Sequence, residues 1–181
     1  GKLVEVNSSH ISKSESCCIS PKESREGIPN KKWVMVIDLS RCKHALKCQH
    51  ACQRYHHLSG MNVWLKVFKM KDSKLTAPYW LPKPCMHCDK PPCVKVCPVS
   101  ATYKRSDGIV LIDNNACIGC KFCVVSCPYT ARRFNAFIPE IPPEKVNPMV
   151  PLRVEGVVEK CTFCVQRTRR GTMPMCVEVC P

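Results

Sequence analysis

The chain has 181 residues, 45% of them apolar but only 7% aromatic, enough for one domain or two small ones with a modest core. A formal charge of +14 ordinarily points to nucleic acid or an anionic surface. No apolar run of roughly 18 residues exists to span a membrane; the apolar pieces are as short as Trp33-Val34-Met35-Val36-Ile37.

Residues 1–30 are polar and lack a hydrophobic signal core, so they are expected to form an extended lead-in. Cys17 and Cys18 lie there side by side, poor geometry for chelation, and are read as non-ligands. Lys32–Asp38 is expected to be a short strand leading to a first cysteine group, Cys42-x5-Cys48-x3-Cys52. His50, His56 and His57 follow on an expected helix and are read as surface or interface residues. Val63–Lys69 suggests another strand, and Pro78, Pro82 and Pro84 mark a turn-rich connection. The second group is Cys85-x2-Cys88-x4-Cys93-x3-Cys97-Pro98, its loop widened by residues that include Pro91 and Pro92. A turn at Asp107-Gly108 and a strand over Ile109–Ile112 lead into the third group, Cys117-x2-Cys120-x2-Cys123-x3-Cys127-Pro128. Prolines at 139, 142, 143, 148 and 151 then mark a connecting arm without regular structure. The fourth group is Cys161-x2-Cys164-x11-Cys176-x3-Cys180-Pro181. Arg167, Arg169 and Arg170 in its long loop are read modestly as counter-charge, more sharply as contacts to a partner or acidic phospholipid. The sequence stops one residue after Cys180, so cover by further residues or another subunit is expected.

Fifteen of the seventeen cysteines fall into these four groups, and three groups end in Cys-Pro. Disulfide frameworks scatter cysteines so that distant loops are tied; tight clusters indicate metal ligation instead. The third group reproduces the C-x2-C-x2-C-x3-C-P run of bacterial ferredoxins, in which three thiolates wrap one cubane and the fourth ligates a neighbouring cluster. Four such groups require two two-cluster modules. Thiolate-bound clusters carry about −2 each when oxidised, so four of them would bring +14 to roughly +6, and much of the basic excess becomes internal counter-charge. The first group departs from the pattern: where the third has its second ligand, this one has Ala45, and a methyl group cannot bind iron. A 3Fe-4S cluster is the simplest outcome, with His44, Cys17 or Cys18 as rival replacement ligands. A zinc-stabilised nucleic-acid-binding module is the reading from another class. It is disfavoured because the spacing is ferredoxin-like and paired Cys-x2-Cys knuckles at finger-length separation are missing. No P-loop, GxGxxG or Ser-His-Asp arrangement rises above chance, so no catalytic residue is assigned.

From about residue 32 to 181, the four groups in this order resemble the iron-sulfur electron-transfer subunits of the molybdopterin oxidoreductase family, the small subunits of dimethyl sulfoxide, polysulfide, tetrathionate and nitrate reductase type. The resemblance implies an α+β fold of two bacterial-ferredoxin-like two-cluster modules, one inserted in the other. The outer module would take 31–75 with 152–181, the inserted one 76–138, and the arm 139–151. Carried over by position, Cys42, Cys48 and Cys180 would hold the 3Fe-4S cluster, and Cys52, Cys161, Cys164 and Cys176 a 4Fe-4S neighbour. Cys85, Cys88, Cys93 and Cys127 would hold a further 4Fe-4S cluster, and Cys97, Cys117, Cys120 and Cys123 the last.

The implied wire of three 4Fe-4S clusters and one 3Fe-4S cluster runs from a large pterin-type catalytic subunit, at the first-group end, to an integral membrane quinone-interacting subunit. A 3Fe-4S centre at the catalytic end is unusual, because nitrate reductase relatives lack the cysteine in the third group instead. The expected role is single-electron transfer, with no catalysis by the chain alone, no nucleic-acid partner and no membrane span of its own. Two alternatives stay open: the iron-sulfur part of an alternative complex III-like quinol oxidoreductase, with cytochromes as partners, and a hydrogenase-linked subunit. Membrane association through partners is expected, on the extracytoplasmic face because of the polar start without Met, with the cytoplasmic face as the other option.

Overall fold

The stretches between cysteines leave little room for long elements. The computed structural model describes residues 25–181 apart from positions 59, 61 and 76, and its elements are short. Helix α1 (Lys47–Tyr55) carries two cysteines of the first group. Strands β1 (Lys66–Met70) and β2 (Tyr79–Lys83) form an antiparallel ribbon, with Lys66 opposite Lys83 and Met70 opposite Tyr79. Helix α2 (Pro92–Lys95) belongs to the second group. Strands β3 (Thr102–Lys104) and β4 (Val110–Ile112) pair antiparallel, and α3 (Phe122–Val125) follows in the third group. Strand β5 (Arg133–Phe134) then pairs with β6 (Val158–Glu159) across the arm, before α4 (Val165–Thr168) and α5 (Met175–Glu178). A four-residue helix is far below the length that is stable alone in water, so these turns depend on what their cysteines bind.

Helix α1 packs on α5, and α2 on α3, so the first group meets the fourth and the second meets the third. The cores are small and sulfur-rich. Cys52, Trp64 and Leu65 pack with Cys48, Cys161 and Cys176. Cys93, Val110, Cys123 and Val158 pack with Phe134, and Ile109, Leu111 and Phe163 pack with Trp33 and Met35. Val158 and Phe163, which flank the start of the fourth group, thus reach into the β3–β4 region.

Two expectations are corrected. Lys32–Asp38 has the period-two burial of a strand, with Val34 and Val36 outward, but it has no ladder partner among the described residues. A single bond, from the Trp33 N–H to the Asp107 carbonyl at 3.2 Å, ties it to the β3–β4 turn. The proline-rich connection, by contrast, contains strand β2, with Pro82 opposite Val67. In a two-stranded ribbon each strand keeps a free edge, so a residue without an N–H is accommodated.

The turn at Asp107-Gly108 forms as expected: Gly108 has φ +86°, and its N–H donates to the Arg105 carbonyl at 3.1 Å. Asp107 is fully buried. Its carboxylate accepts from Arg105 Nε at 3.1 Å and Nη2 at 2.5 Å, and from the N–H groups of Ile28 at 3.2 Å and Ile109 at 3.3 Å. This one carboxylate fixes the turn and stitches residues 25–30 onto the hairpin. Asp107→Ala would leave Arg105 buried without a counter-charge, and breaking such a pair costs about 3–5 kcal/mol. Denaturant unfolding of the iron-loaded chain, followed by far-UV circular dichroism, is expected to show a loss of that size.

Candidate metal centres

One loop is built four times. In each cysteine group the residue two after the first cysteine has a left-handed backbone: His44 (φ 55°), His87 (φ 43°), Gly119 (φ 68°) and Phe163 (φ 57°). That conformation costs a non-glycine residue about 1–2 kcal/mol, and three of the four positions accept the cost. It turns the amide back onto the preceding thiol: the His87 N–H reaches Cys85 Sγ at 3.5 Å, and the Phe163 N–H reaches Cys161 Sγ at 3.4 Å. The third ligand position of each group, counting Ala45 as the second of the first group, then falls at the second residue of a helix: Cys48 in α1, Cys93 in α2, Cys123 in α3 and Cys176 in α5. The fourth comes one helical turn later. Where Pro follows and the chain continues, a matching turn closes the unit, from the Ser100 N–H to the Cys97 carbonyl at 3.3 Å and from the Thr130 N–H to the Cys127 carbonyl at 3.1 Å.

The groups interleave. Cys85, Cys88, Cys93 and Cys127 line one cavity of about 350 Å³, and Cys97, Cys117, Cys120 and Cys123 another of about 310 Å³. A larger hollow of about 820 Å³ is lined by Cys42, Cys48, Cys176 and Cys180, with Ala45 also in its wall. Cys52 lies within electrostatic reach of Cys161, Cys164 and Cys176. The fifteen described cysteines are all free. A tetrathiolate zinc ion, with bonds of ~2.3 Å, would need sulfurs roughly 3.8 Å apart. Among the described residues no three His, Cys, Asp or Glu side chains converge on a point suited to one ion. Thiols spaced around a hollow fit a polynuclear cluster.

Burial sets the protonation of these thiols. It pushes the Cys164 thiol up to about 12, with Cys161 adding to the shift, and raises Cys52, Cys161 and Cys176 above the ordinary range, where neighbouring thiolates add further. At neutral pH such groups keep their protons unless a bound cation replaces them, so metal binding here displaces protons and is coupled to folding.

Sequence reasoning missed several residues around the cavities. His56 and His57 lie past the end of α1 and are buried, which corrects their reading as surface residues. His56 Nε2 is 3.2 Å from Cys164 Sγ, and burial, followed by the nearby Arg153, lowers its pKa to about 3, so the ring is neutral. His57 Nε2 accepts the Asn147 N–H at 2.9 Å, so the arm covers this corner. The ring of His44, a rival fourth ligand, stacks on Trp80 with centroids 3.5 Å apart. Cys17 and Cys18 lie outside the described residues.

Four buried basic side chains divide into two kinds. Arg105 pairs with Asp107, and Arg153 with Glu159 at 3.0 Å. Lys160 and Arg132, 3% and 1% exposed, have no carboxylate partner among the described residues. The Lys160 ammonium donates to the carbonyls of Val110 and, at 2.8 Å, Cys161. Arg132 donates from Nη1 to Thr102 Oγ1 at 3.1 Å, while its Nε and Nη2, both buried, meet no protein acceptor. Arg132 also lines the cavity of Cys85, Cys88, Cys93 and Cys127. Orphaned donors on a thiol-lined hollow fit an anionic sulfide cluster well.

Residues 76–140 match a family described as a 4Fe-4S dicluster domain, and residues 109–181 match a second family of the same description. The chain is 39% identical over 190 residues to Hdr-like menaquinol oxidoreductase iron-sulfur subunit 1 of Archaeoglobus fulgidus, covering 89% of this chain and 70% of that one. It is 40% identical over 162 residues to a putative dimethyl sulfoxide reductase iron-sulfur subunit of Halobacterium salinarum, covering 81% and 62%. It is 44% identical over 153 residues to the iron-sulfur cluster-binding subunit of menaquinone reductase of Nitratidesulfovibrio vulgaris, covering 75% and 60%. The chain belongs to the iron-sulfur electron-transfer subunits of the molybdopterin oxidoreductase family, proteins that carry 4Fe-4S clusters in ferredoxin-like dicluster domains. It spans 60% to 70% of the length of these three relatives.

A Cβ on Gly119 would lie 2.1 Å from the Gly156 carbonyl oxygen, so the third group's loop closes against the turn beside β6 only with glycine there. Gly119→Ala is expected to lose part of the bound iron, read by iron analysis, because the loop that carries Cys117 and Cys120 no longer closes. Stripping all iron with a chelator under oxidising conditions is expected to remove most of the far-UV helical signal, because four of the helices have four residues and the longest has nine, all below the length that is stable alone in water.

Proposed function

We propose that the four cysteine sets hold a linear wire of three 4Fe-4S clusters and one 3Fe-4S cluster, which passes single electrons between a quinone-linked membrane subunit and a large catalytic subunit. One observation carries the order of the wire: neighbouring sets lie within electrostatic reach of one another in sequence. Cys48 acts on Cys52, joining the set of Cys42, Cys48 and Cys180 to the set of Cys52, Cys161, Cys164 and Cys176. Cys85 acts on Cys161 and Cys93 acts on Cys123, which adds the two remaining sets in turn. The packing of α1 on α5 and of α2 on α3 supports a nested arrangement of two modules. Ala45, in the wall of the first hollow, supports a cluster short of one ligand.

The two ends differ in surface chemistry. At the last set Cys120 is exposed, and Ile118, Phe122 and Val125 stand out beside it, an apolar collar suited to a hydrophobic partner. We assign the quinone-linked membrane subunit to this end. Among the described residues no helix is long and apolar enough to cross a membrane. At the other end Cys180 is exposed beside the wide first hollow, and the catalytic subunit, of the pterin type, docks there. Relatives named for menaquinol oxidoreductase and menaquinone reductase support the quinone assignment. The first of them also favours a second reading, a quinol-oxidising complex with a different large subunit.

Mass spectrometry of the complex, gently purified from membranes, tests the partners: a pterin-loaded large subunit supports the first reading, and cytochromes with a pterin-free large subunit support the second. For the clusters, the oxidised protein is expected to show the electron paramagnetic resonance of a 3Fe-4S centre, and Ala45→Cys to abolish it while iron content rises by about one atom. A signal that persists in Ala45→Cys rejects the assignment at this position.

A further inference from the structure

We infer that Lys160 and Arg132 are fixed counter-cations placed at the second and third of the wire's three junctions, where they raise the reduction potentials of the clusters beside them and converge on the set of Cys85, Cys88, Cys93 and Cys127. The inference rests on the reading that the cysteine sets hold clusters.

An isolated buried charge costs several kcal/mol, and proteins accept it only against an opposite charge. The two other buried cations have such partners in Asp107 and Glu159. Lys160 has instead the thiols of Cys85, Cys161 and Cys93 within electrostatic reach, and these belong to two different sets. It therefore sits at the second junction, held by the carbonyls of Val110 and Cys161. Arg132 faces the thiol of Cys123 of the last set while lining the cavity of the third, so it sits at the next junction, with no oxygen or nitrogen acceptor of the protein on Nε or Nη2. Thiolates and sulfides are the acceptors that chemistry offers there.

A cation beside a cluster stabilises the reduced form, which carries one more negative charge, over the oxidised form. The effect is large where water is excluded. With two flanking cations, the third set along the wire gains most, so an electron entering the interior meets a well rather than a barrier. The family's ligand pattern does not predict this, because neither residue ligates iron.

The test uses the full-length protein in its complex, with the unmodified protein first shown by iron and sulfide analysis to carry its clusters. If it does not, the underlying reading falls and not this one. Redox titration followed by electron paramagnetic resonance then compares Lys160→Met and Lys160→Arg with Arg132→Met and Arg132→Lys. Lys160→Met is expected to shift the equilibrium of two clusters toward the oxidised form by roughly tenfold or more, about 59 mV for one electron, and Arg132→Met to shift an overlapping but different pair. The charge-retaining variants are expected to stay within about threefold of the parent. Neutral variants that leave every potential unchanged overturn the proposal. Where a neutral variant loses a cluster, the charge-retaining variant decides: iron retained in it supports a role for charge, and equal loss in both overturns it.

Discussion

The bond between thiolate and iron is the interaction on which the rest of this structure depends, because the protein part alone arranges its sulfurs unfavourably. Cys52, Cys161, Cys164 and Cys176 crowd together where water is excluded, and burial with mutual repulsion drives their thiols toward protonation. Such a site is stable as thiolates only with a multivalent cation at its centre. The same bonds hold elements that have no independent stability: helices of four residues, strands of two or three, and left-handed residues such as His87 and Phe163 in the loops. The apolar clusters are correspondingly small, and cysteine itself is a large part of them. In this fold the cofactor takes the place that a hydrophobic core has elsewhere.

Polar groups are distributed to suit that arrangement. Where the chain needs rigidity away from the cavities, buried cations meet carboxylates, as in Arg105 with Asp107. Between the cavities Lys160 and Arg132 meet none, and the histidine against Cys164 is held neutral. Buried charge is therefore sorted by partner: two cations are paired with carboxylates, and two stand against the thiols. The formal excess of +14 is an internal property as much as a surface one.

The sequence displayed the cysteine groups plainly, since the spacing of Cys117, Cys120, Cys123 and Cys127 is a local pattern and iron chemistry dictates it. The turn at Asp107-Gly108 and the strand after it were equally legible, because glycine and β-branched residues act over a few positions. Other features were not. Strand β2 hid behind its prolines, and the two-residue pairing of β5 with β6 is too short to carry any period. The burial of His57 follows from a distant arm folding over the end of α1, not from its neighbours in the chain. Arg132 and Lys160 each stand in irregular or nearly irregular chain, where a basic residue reads as solvent-exposed until the fold encloses it.

The return of Cys180 to the hollow of Cys42 and Cys48 has a consequence for the order in which the molecule is made. As the chain emerges from the ribosome, the second and third groups come out close together, and all eight cysteines that line their two hollows lie within residues 85–127. They are competent to receive iron early. The hollow of the first group waits, open on one side, until nearly the whole described chain has been synthesised, and closing that long loop carries the larger entropy cost. Biogenesis accordingly proceeds from the inside of the sequence outward, and the unfinished site is the one that stays open longest to oxidation and to mismatched metal.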